Sequence, residues 1–584
     1  MNNSKLTVAI ILLASLVPFI HILLSADLPH TSDGEVQLPR MAAYYKALSD
    51  GHFPVRWAGD INFGFGLPLF NFIYPLPYLI SSLAIALGLS LVQSFKLEMI
   101  LSFLLSGVFM YLFAGEFFKD TKKAILVTFF YQFAPYHLEE ILMRGTLGSM
   151  YVYAFFPLLL YCLLKFTKNP TSYSGIMISL SIMLLSLSHN SMSLVFLLLA
   201  LLFIVIFIKT RALIMKALAY SCLGLGLAAW YIIPAILENK YTYAAHYMKD
   251  LFKSHFRPLL QLLSQPLAWP GIHDTQTLRL SEIDVHIGFL PVLALIGAVI
   301  WLYAKKSRTD RAIRSLLMYS VVSSAITVFM MQRPSTFIWE KIPFLVQFQF
   351  PWRLLAVMVF TTATCSIVFL DLFKKSKQKI VFIILSGVVF ITSIYFWYPP
   401  YGYDKITDET KIWKYPLSTT YYGETDVIWT EGQAKSYPGK NVEIIGGQAT
   451  VSSYIHKTHI RTYKVNSATD VQILDNTVYF PGWKVMADSR QIPIEFQDPN
   501  HRGLITYRLP PGLHYIMVKF SDSKIRLVAD GIAAVSLLLM VVILLKYYVI
   551  NLIRSPLDLT HCSNVKSKNH PFGKLRAGKS KLKT

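Results

Sequence analysis

The chain has 584 residues, 54% hydrophobic and only 15% charged, a balance that describes a polytopic membrane protein and excludes a soluble enzyme on a single anchor. Its formal net charge of +22 belongs to the loops and tail of an apolar chain, where anionic lipid is the natural counterpart, and nucleic acid is excluded as a partner. Of four cysteines, Cys162, Cys222 and Cys365 lie in apolar stretches and Cys562 in a basic tail, so neither a disulfide framework nor a zinc spacing exists.

The first apolar run, Leu6 to Ser25, is long enough to cross a bilayer, which takes about 20 residues. Lys5 precedes it and no small-x-small cleavage site follows, so it reads as a retained signal anchor. Eleven further crossings are expected at Leu97–Phe118, Ala124–Leu142, Tyr151–Leu164, Ile176–Ser188, Leu194–Ile208, Ala212–Ala235, Ile287–Tyr303, Ile313–Met331, Leu354–Phe373, Ile380–Trp397 and Leu527–Leu545, about 12 in all. With that count Lys5, Lys119/Lys122/Lys123, Lys165/Lys168, Lys209/Arg211, Lys305/Lys306/Arg308, Lys374/Lys375/Lys377 and the tail fall on one side. The positive-inside rule makes that side, and both termini, cytoplasmic in a cell membrane. The stretch Ile73–Val92 would invert this register if it crossed; Pro75 and Pro77 near its start suit a re-entrant or interfacial helix, with an ordinary span the alternative.

The fold class expected is therefore an α-helical polytopic membrane protein with a C-terminal extracytoplasmic β-sandwich domain before the last helix. Its parts are a transmembrane module over 1–398 with a first outer loop at 26–71, a β-rich domain at 399–526, a last helix at 527–550 and an unstructured basic tail at 551–584. The β domain announces itself in the alternation of Ala449 to Ile455 and Thr506 to Phe520, with turns at Gly446-Gly447 and Pro510-Pro511-Gly512. It carries no catalytic spacing. Outer segments 26–71, 237–286 and 332–353 are placed to roof one site.

The acidic cluster His30-Thr31-Ser32-Asp33-Gly34-Glu35 follows the anchor directly, so Asp33 and Glu35 are candidate catalytic carboxylates at the outer surface, with His30 beside them. Either acid could instead cap a helix starting near Val36, where free amides favour negative charge. Arg56 and Asp60 lie in a loop rich in Gly and Pro (Gly64, Gly66, Pro68) that suits either close ligand approach or tight turning. Glu140 and Arg144, next to Glu139 at the outer end of the third span, are costly at membrane depth and so candidates for ligand contact, or an ion pair at a spacing of four. His189 ends the fifth span on the outer side, a candidate contact for a phosphate or a metal, or simply a satisfied interfacial polar residue. Arg353, in Gln349-Phe350-Pro351-Trp352-Arg353, offers a guanidinium fork to phosphate oxygens or snorkels beside Trp352.

Taken in order, Asp33, Gly51-His52-Phe53-Pro54-Val55-Arg56-Trp57, Gly66-Leu67-Pro68-Leu69-Phe70 with Tyr74-Pro75-Leu76-Pro77, Gln349 to Arg353, and Tyr479-Phe480-Pro481-Gly482-Trp483-Lys484 resemble polytopic GT-C glycosyltransferases. Within that superfamily the chain resembles the bacterial membrane proteins labelled 6-pyruvoyl-tetrahydropterin-synthase-related. The resemblance implies a polyprenyl-phosphate sugar donor, an acidic residue of the first outer loop as base or metal ligand, and a juxtamembrane helix before the second crossing. Adjacent acids found in better-known relatives are replaced here by Asp33-Gly34-Glu35, so a divalent metal ion stays an open cofactor, its ligands unknown. The pterin part of the label finds no His-x-His zinc spacing among the 15 histidines. The function expected is transfer of a sugar from a polyprenyl-phosphate donor to an extracytoplasmic glycan, lipid or protein acceptor. A lipid-linked saccharide flippase, which needs ionisable groups midway through its spans, and a non-catalytic cell-envelope scaffold are the alternatives.

Overall fold

The computed structural model of the chain describes residues 3–263, 285–304, 311–399 and 401–554. The expectations for Lys305, Lys306 and Arg308, for 264–284 and for the tail from 555 onward lie outside the described residues. Among the described residues, eight helices are long and apolar enough to cross a membrane: α1 (Lys5–Leu24), α4 (Leu91–Phe118), α6 (Leu147–Lys168), α8 (Asn190–Phe207), α12 (Arg311–Met330), α13 (Pro351–Asp371), α14 (Gln378–Phe396) and α15 (Lys524–Arg554). A ninth candidate is the pair α9 (Arg211–Leu227) and α10 (Ala229–Leu237), bent by 71° at Ala228. The remaining apolar helices are shorter: α3 (Leu76–Ala86), α7 (Ser172–Ser188) and α11 (Phe289–Ala304). The polytopic helical architecture is thus present, whereas the expected twelve full spans are not reached by length.

The clearest departure is the expected span Ala124–Leu142. Helix α5 (Thr121–Gln132) stops short of Pro135, whose ring demands extended backbone before it. A single turn Pro135–Leu138 and a π-helical turn Glu139–Arg144 follow, and Gly145 closes them in the left-handed region at φ 67°. The stretch Ile73–Val92 contains α3 and the first two residues of α4; the 11 residues of α3 rise about 16 Å and cannot cross a core of about 30 Å. Helix α15 runs past the expected end at 550 to Arg554.

Helix-interior prolines leave carbonyls without their usual donors, and distant side chains fill them. Pro157 in α6 cannot donate to Tyr153, and the Tyr131 hydroxyl donates there instead at 2.7 Å. Pro234 in α10 likewise orphans the Trp230 carbonyl, which accepts Arg56 Nη1 at 2.9 Å.

The strand-rich domain before the last helix is two antiparallel sheets. One runs β4–β5–β10–β7–β8 (Ala449–Lys457, Ile460–Ser467, Gly512–Phe520, Trp483–Ala487, Arg490–Ile492) and the other β3–β6–β9 (Val442–Gly446, Val471–Val478, Leu504–Leu509). Inward residues of both sheets, among them Val465, Val485 and Val518 against Ile473 and Ile505, share one core, as the alternation requires. Trp57 of the first outer loop and Phe72 directly after it complete that core. Trp57 packs edge-on to Trp483 at 5.2 Å between centroids and against Phe520 at 5.2 Å, and Phe72 meets Phe480 at 6.0 Å. A second tie is the pairing of β1 (Leu28–Pro29) with β2 (Tyr403–Asp404).

At the base of this contact Arg526 and Glu238 form an ion pair with no exposed side-chain surface, Nε to Oε2 3.1 Å. Asn71 Nδ2 donates to Glu238 at 2.8 Å and Ser523 adds its hydroxyl. The Arg526 guanidinium donates to the Ser521 and Pro481 carbonyls and lies 4.6 Å from the Phe520 ring centre. Replacing Arg526 with Met strands a buried carboxylate and should cost about 3–5 kcal/mol, read as a lower melting midpoint in detergent. Arg526→Met with Glu238→Leu should recover most of it; an unchanged midpoint in the single variant would refute the assignment.

Next to that hub His52 of the outer loop stacks on His459 at 4.7 Å, both buried with Nδ1 unpartnered among the described residues. Burial, then the fields of His459, Arg56 and Arg526, pushes His52 down to about 3. An unfolded histidine takes its proton near 6.5, so this stability is complete above that pH and drains away as pH falls towards 3. The melting midpoint should therefore drop on the acid side, and His52→Phe should make that slope shallower; an identical slope in the variant would contradict this.

Candidate functional site

Helix α2 (Gly34–Ser49) begins directly after Asp33, whose backbone occupies the N-cap while its side chain caps nothing. The reason is a competing set of partners. The amides of Ser32 and Asp33 donate to the carbonyls of Met143 and Arg144 at 3.0 and 2.8 Å, zipping the outer loop to the end of the π-turn. Thr146 Oγ1 then donates to Asp33 Oδ2 at 2.8 Å. From the opposite side the Tyr421 hydroxyl donates to the Ser32 carbonyl at 2.8 Å and lies 3.3 Å from Asp33 Oδ1. Burial, reinforced by the Asp33 charge, raises the Tyr421 phenol above its ordinary range, so it serves as a donor. Among the described residues no cation pairs with Asp33.

Thr31 is the wedge of this joint: its Oγ1 accepts the Gly34 amide at 3.0 Å, and a Cβ on Gly145 would stand 2.2 Å from it. Gly145 also holds φ 67°, so Gly145→Ala meets both a clash and a left-handed backbone penalty of about 1–2 kcal/mol. Hydrogen exchange across 28–40 should rise in that variant while α4 and α6 stay protected; unchanged exchange would show that the joint tolerates a side chain.

Arg144 is buried and paired with Glu140, which also accepts the Tyr136 hydroxyl at 2.7 Å, and its guanidinium lies 4.8 Å from the Trp352 ring centre. The ion pair at a spacing of four is thus real, made on a π-turn. Arg353, at the start of α13, differs: its Nη1 donates only to the Phe348 carbonyl at 3.2 Å, its Nε is buried without a partner, and no carboxylate is within ion-pair reach among the described residues. Arg353 feels the charges of Arg144, Glu140 and Asp33. His189 caps α8, accepting the Met192 amide at 3.4 Å, and stacks on Tyr74 at 5.1 Å within the fields of Arg353 and Arg144. Asp33, Glu140, Arg144, His189 and Arg353 are therefore brought together from four separate stretches of chain.

Other candidates fall elsewhere. Glu35 is exposed on the first turn of α2, off the cluster. His30 faces the strand linking to the outer domain, Nδ1 to Asp404 2.9 Å. Arg56 is buried against the last helix, 2.6 Å from Asp530 and 3.4 Å from Asp522, and Asp60 pairs with Lys46 at 2.6 Å. The loop at 51–68 thus builds the domain contact, and Arg56 and Asp60 are engaged there with Asp530, Asp522 and Lys46.

Sequence reading passed over Gln37 and Arg40, four and seven residues after Asp33 and hence on its face of α2, a spacing visible in the chain. Gln37 accepts the Tyr78 hydroxyl at 2.7 Å. Arg40 holds Thr419 by hydroxyl and carbonyl and, like Arg353, has no carboxylate partner among the described residues. Tyr421, nearly 400 residues away in sequence, carried no such signal. The segments 237–263 and 332–353 also meet each other and the strand-rich domain: Gln349 Nε2 reaches Met248 at 3.1 Å, Lys253 pairs with Glu340 at 2.9 Å, and the Tyr243 amide donates to the Asp426 carbonyl at 3.0 Å.

A divalent metal does not suit this donor set. Among the described residues no three His, Cys, Asp or Glu side chains converge, and the second carboxylate, Glu140, is already committed to Arg144.

Among solved structures the chain is similar to the Archaeoglobus fulgidus oligosaccharyltransferase in the apo form, with 12% identity over 74% of this chain and 61% of that one and a TM-score of 0.45. It is similar to the arabinofuranosyltransferase AftD from Mycobacteria, with 12% identity over 67% of this chain and 26% of that one and a TM-score of 0.39. A third similarity is to ArnT from Cupriavidus metallidurans bound to undecaprenyl phosphate, with 13% identity over 66% and 63% and a TM-score of 0.35. The chain spans less than two thirds of the length of each. No curated protein matches. Residues 70–399 match the family described as 6-pyruvoyl-tetrahydropterin synthase related domain, membrane protein, and the chain belongs to that family.

Proposed function

We propose that this protein is a membrane glycosyltransferase that moves a sugar from a polyprenyl-phosphate donor to an extracytoplasmic acceptor. One observation carries the reading: a carboxylate and a guanidinium stand in one cluster, each without an oppositely charged partner among the described residues. Asp33 is hydrogen-bonded by hydroxyls alone, and Arg353 by a carbonyl alone. An ion-paired carboxylate is a poor base, and an ion-paired guanidinium has no fork left for phosphate. Here Asp33 takes the proton of the acceptor hydroxyl as that oxygen attacks the anomeric carbon. Arg353, with Arg144 behind it, neutralises the charge growing on the departing phosphate, and His189 borders the same space.

The Asp33 end is assigned to the extracytoplasmic face of the cell membrane because Lys119, Lys165 and Lys168 gather at the other end of α4 and α6, the arrangement of the positive-inside rule. The flippase alternative needs ionisable groups in mid-membrane. Those found inside α4, Lys96, Glu98 and Glu116, lie towards its two ends.

Purified protein supplied with labelled polyprenyl-phosphate sugars should transfer or hydrolyse at least one. Asp33→Asn should lower that rate by about 10²–10⁴-fold with insertion unchanged. Arg353→Lys, which keeps charge but loses the fork, should weaken the donor's KM. Full activity in Asp33→Asn, or cytosolic labelling of Asp33→Cys, would overturn the reading.

A further inference from the structure

At the end of the bundle away from Asp33, the last turns of α4 and α6 close on a single carboxylate. Glu116, with 8% of its side chain exposed, takes Lys119 Nζ at 2.7 Å, Lys168 Nζ at 2.6 Å and Lys165 Nζ at 3.0 Å. One negative charge cannot neutralise three, and among the described residues neighbouring acids do not make up the difference. Asp371 is taken by Lys123 at 2.8 Å. Asp120 is turned into the start of α5, where it accepts the amides of Lys122 and Lys123 at 2.9 and 3.2 Å. The three lysines keep 59%, 48% and 51% of their side-chain surface, so their remaining donors face outward.

The surplus charge borders a cavity of about 350 Å³ whose lining joins Glu116, Lys119 and Asp120 to Tyr111, Leu112 and Tyr161. Lys165 Nζ stands 5.5 Å from the Tyr161 ring centre, so the aromatic wall and the cationic rim are continuous. Half of this surface asks for an anion and half for hydrocarbon. Since α4 and α6 both cross the membrane, the notch opens where headgroups lie.

We propose that this notch binds the phosphate of an anionic membrane lipid, with Lys119, Lys165 and Lys168 around the phosphate and acyl chains along Tyr111, Leu112 and Tyr161. A phosphodiester competes with Glu116 for the same ammonium groups. The cluster then has two states: closed on its own carboxylate, or opened around lipid. This site is independent of the transfer chemistry at Asp33, since about 30 Å of helix separates Thr146 from Lys168.

The test is native mass spectrometry of the full chain released from phosphatidylcholine nanodiscs containing phosphatidylglycerol. Phosphatidylglycerol should be retained in preference to phosphatidylcholine. The triple variant Lys119→Gln/Lys165→Gln/Lys168→Gln should lose about a hundredfold of that preference, at roughly fivefold per ammonium. Glu116→Gln, which frees the lysines, should raise it. Equal retention of phosphatidylcholine, or full preference in the triple variant, would overturn the proposal. A fall in Glu116→Gln as large as in the triple variant would reduce the cluster to a clamp between helices and also overturn it. Displacement of the lipid by millimolar inorganic phosphate alone would assign the notch to a soluble phosphate and overturn the lipid source.

Discussion

The Arg526–Glu238 pair is the constraint on which the outer half of the molecule rests. Removing both charges from water costs several kcal/mol per ion, and their mutual attraction offsets this only when every remaining donor and acceptor is met. Here they are met by four different parts of the chain: Asn71 from the first outer loop, Ser523 beside the last helix, and the Pro481 and Ser521 carbonyls of the β domain, around a carboxylate at the end of α10. Such a pair has a single satisfactory geometry. It fixes where the β domain sits, and through Trp57 and Phe72 it fixes the loop that leads back to α2.

The same logic governs the helices. A proline in a buried helix leaves a carbonyl that water cannot reach, so a side chain from elsewhere must come to it. Tyr131 reaches Tyr153 across to α6, and Arg56 reaches Trp230 at the bend of α10. Each satisfied carbonyl is also a positional tie between elements that no backbone hydrogen bond would join. Arg56 is therefore occupied at both ends of its fork, by a carbonyl and by Asp530, and is built into the scaffold.

Arginines in this protein divide by what they already hold. Arg144, Arg56 and Arg526 have carboxylate partners, so burial leaves them neutralised and rigid. Arg353 and Arg40 are held by neutral oxygens and retain an uncompensated charge near Asp33. A low-dielectric setting makes that difference large, because an unpaired guanidinium there gains far more from an arriving phosphate than one already paired. The surplus of lysines over Glu116 at the other end of α4 is the same imbalance.

Composition and period alone determined that the chain is a helical membrane protein with a strand-rich region before its last helix, because apolar length and two-residue alternation are local properties. They also marked Asp33, Glu140, Arg144, His189 and Arg353, since charge near a bilayer stands out in any apolar sequence. The chain could equally have shown Gln37 and Arg40 through their helical spacing from Asp33. What period could not decide was pairing. Whether Arg56 meets a ligand or Asp530, whether Tyr421 reaches Asp33, and whether Pro135 merely bends a span or ends it all depend on contacts between residues far apart in the chain. Only the tertiary structure settles which charges are already neutralised, because neutralisation is a matter of distance in space.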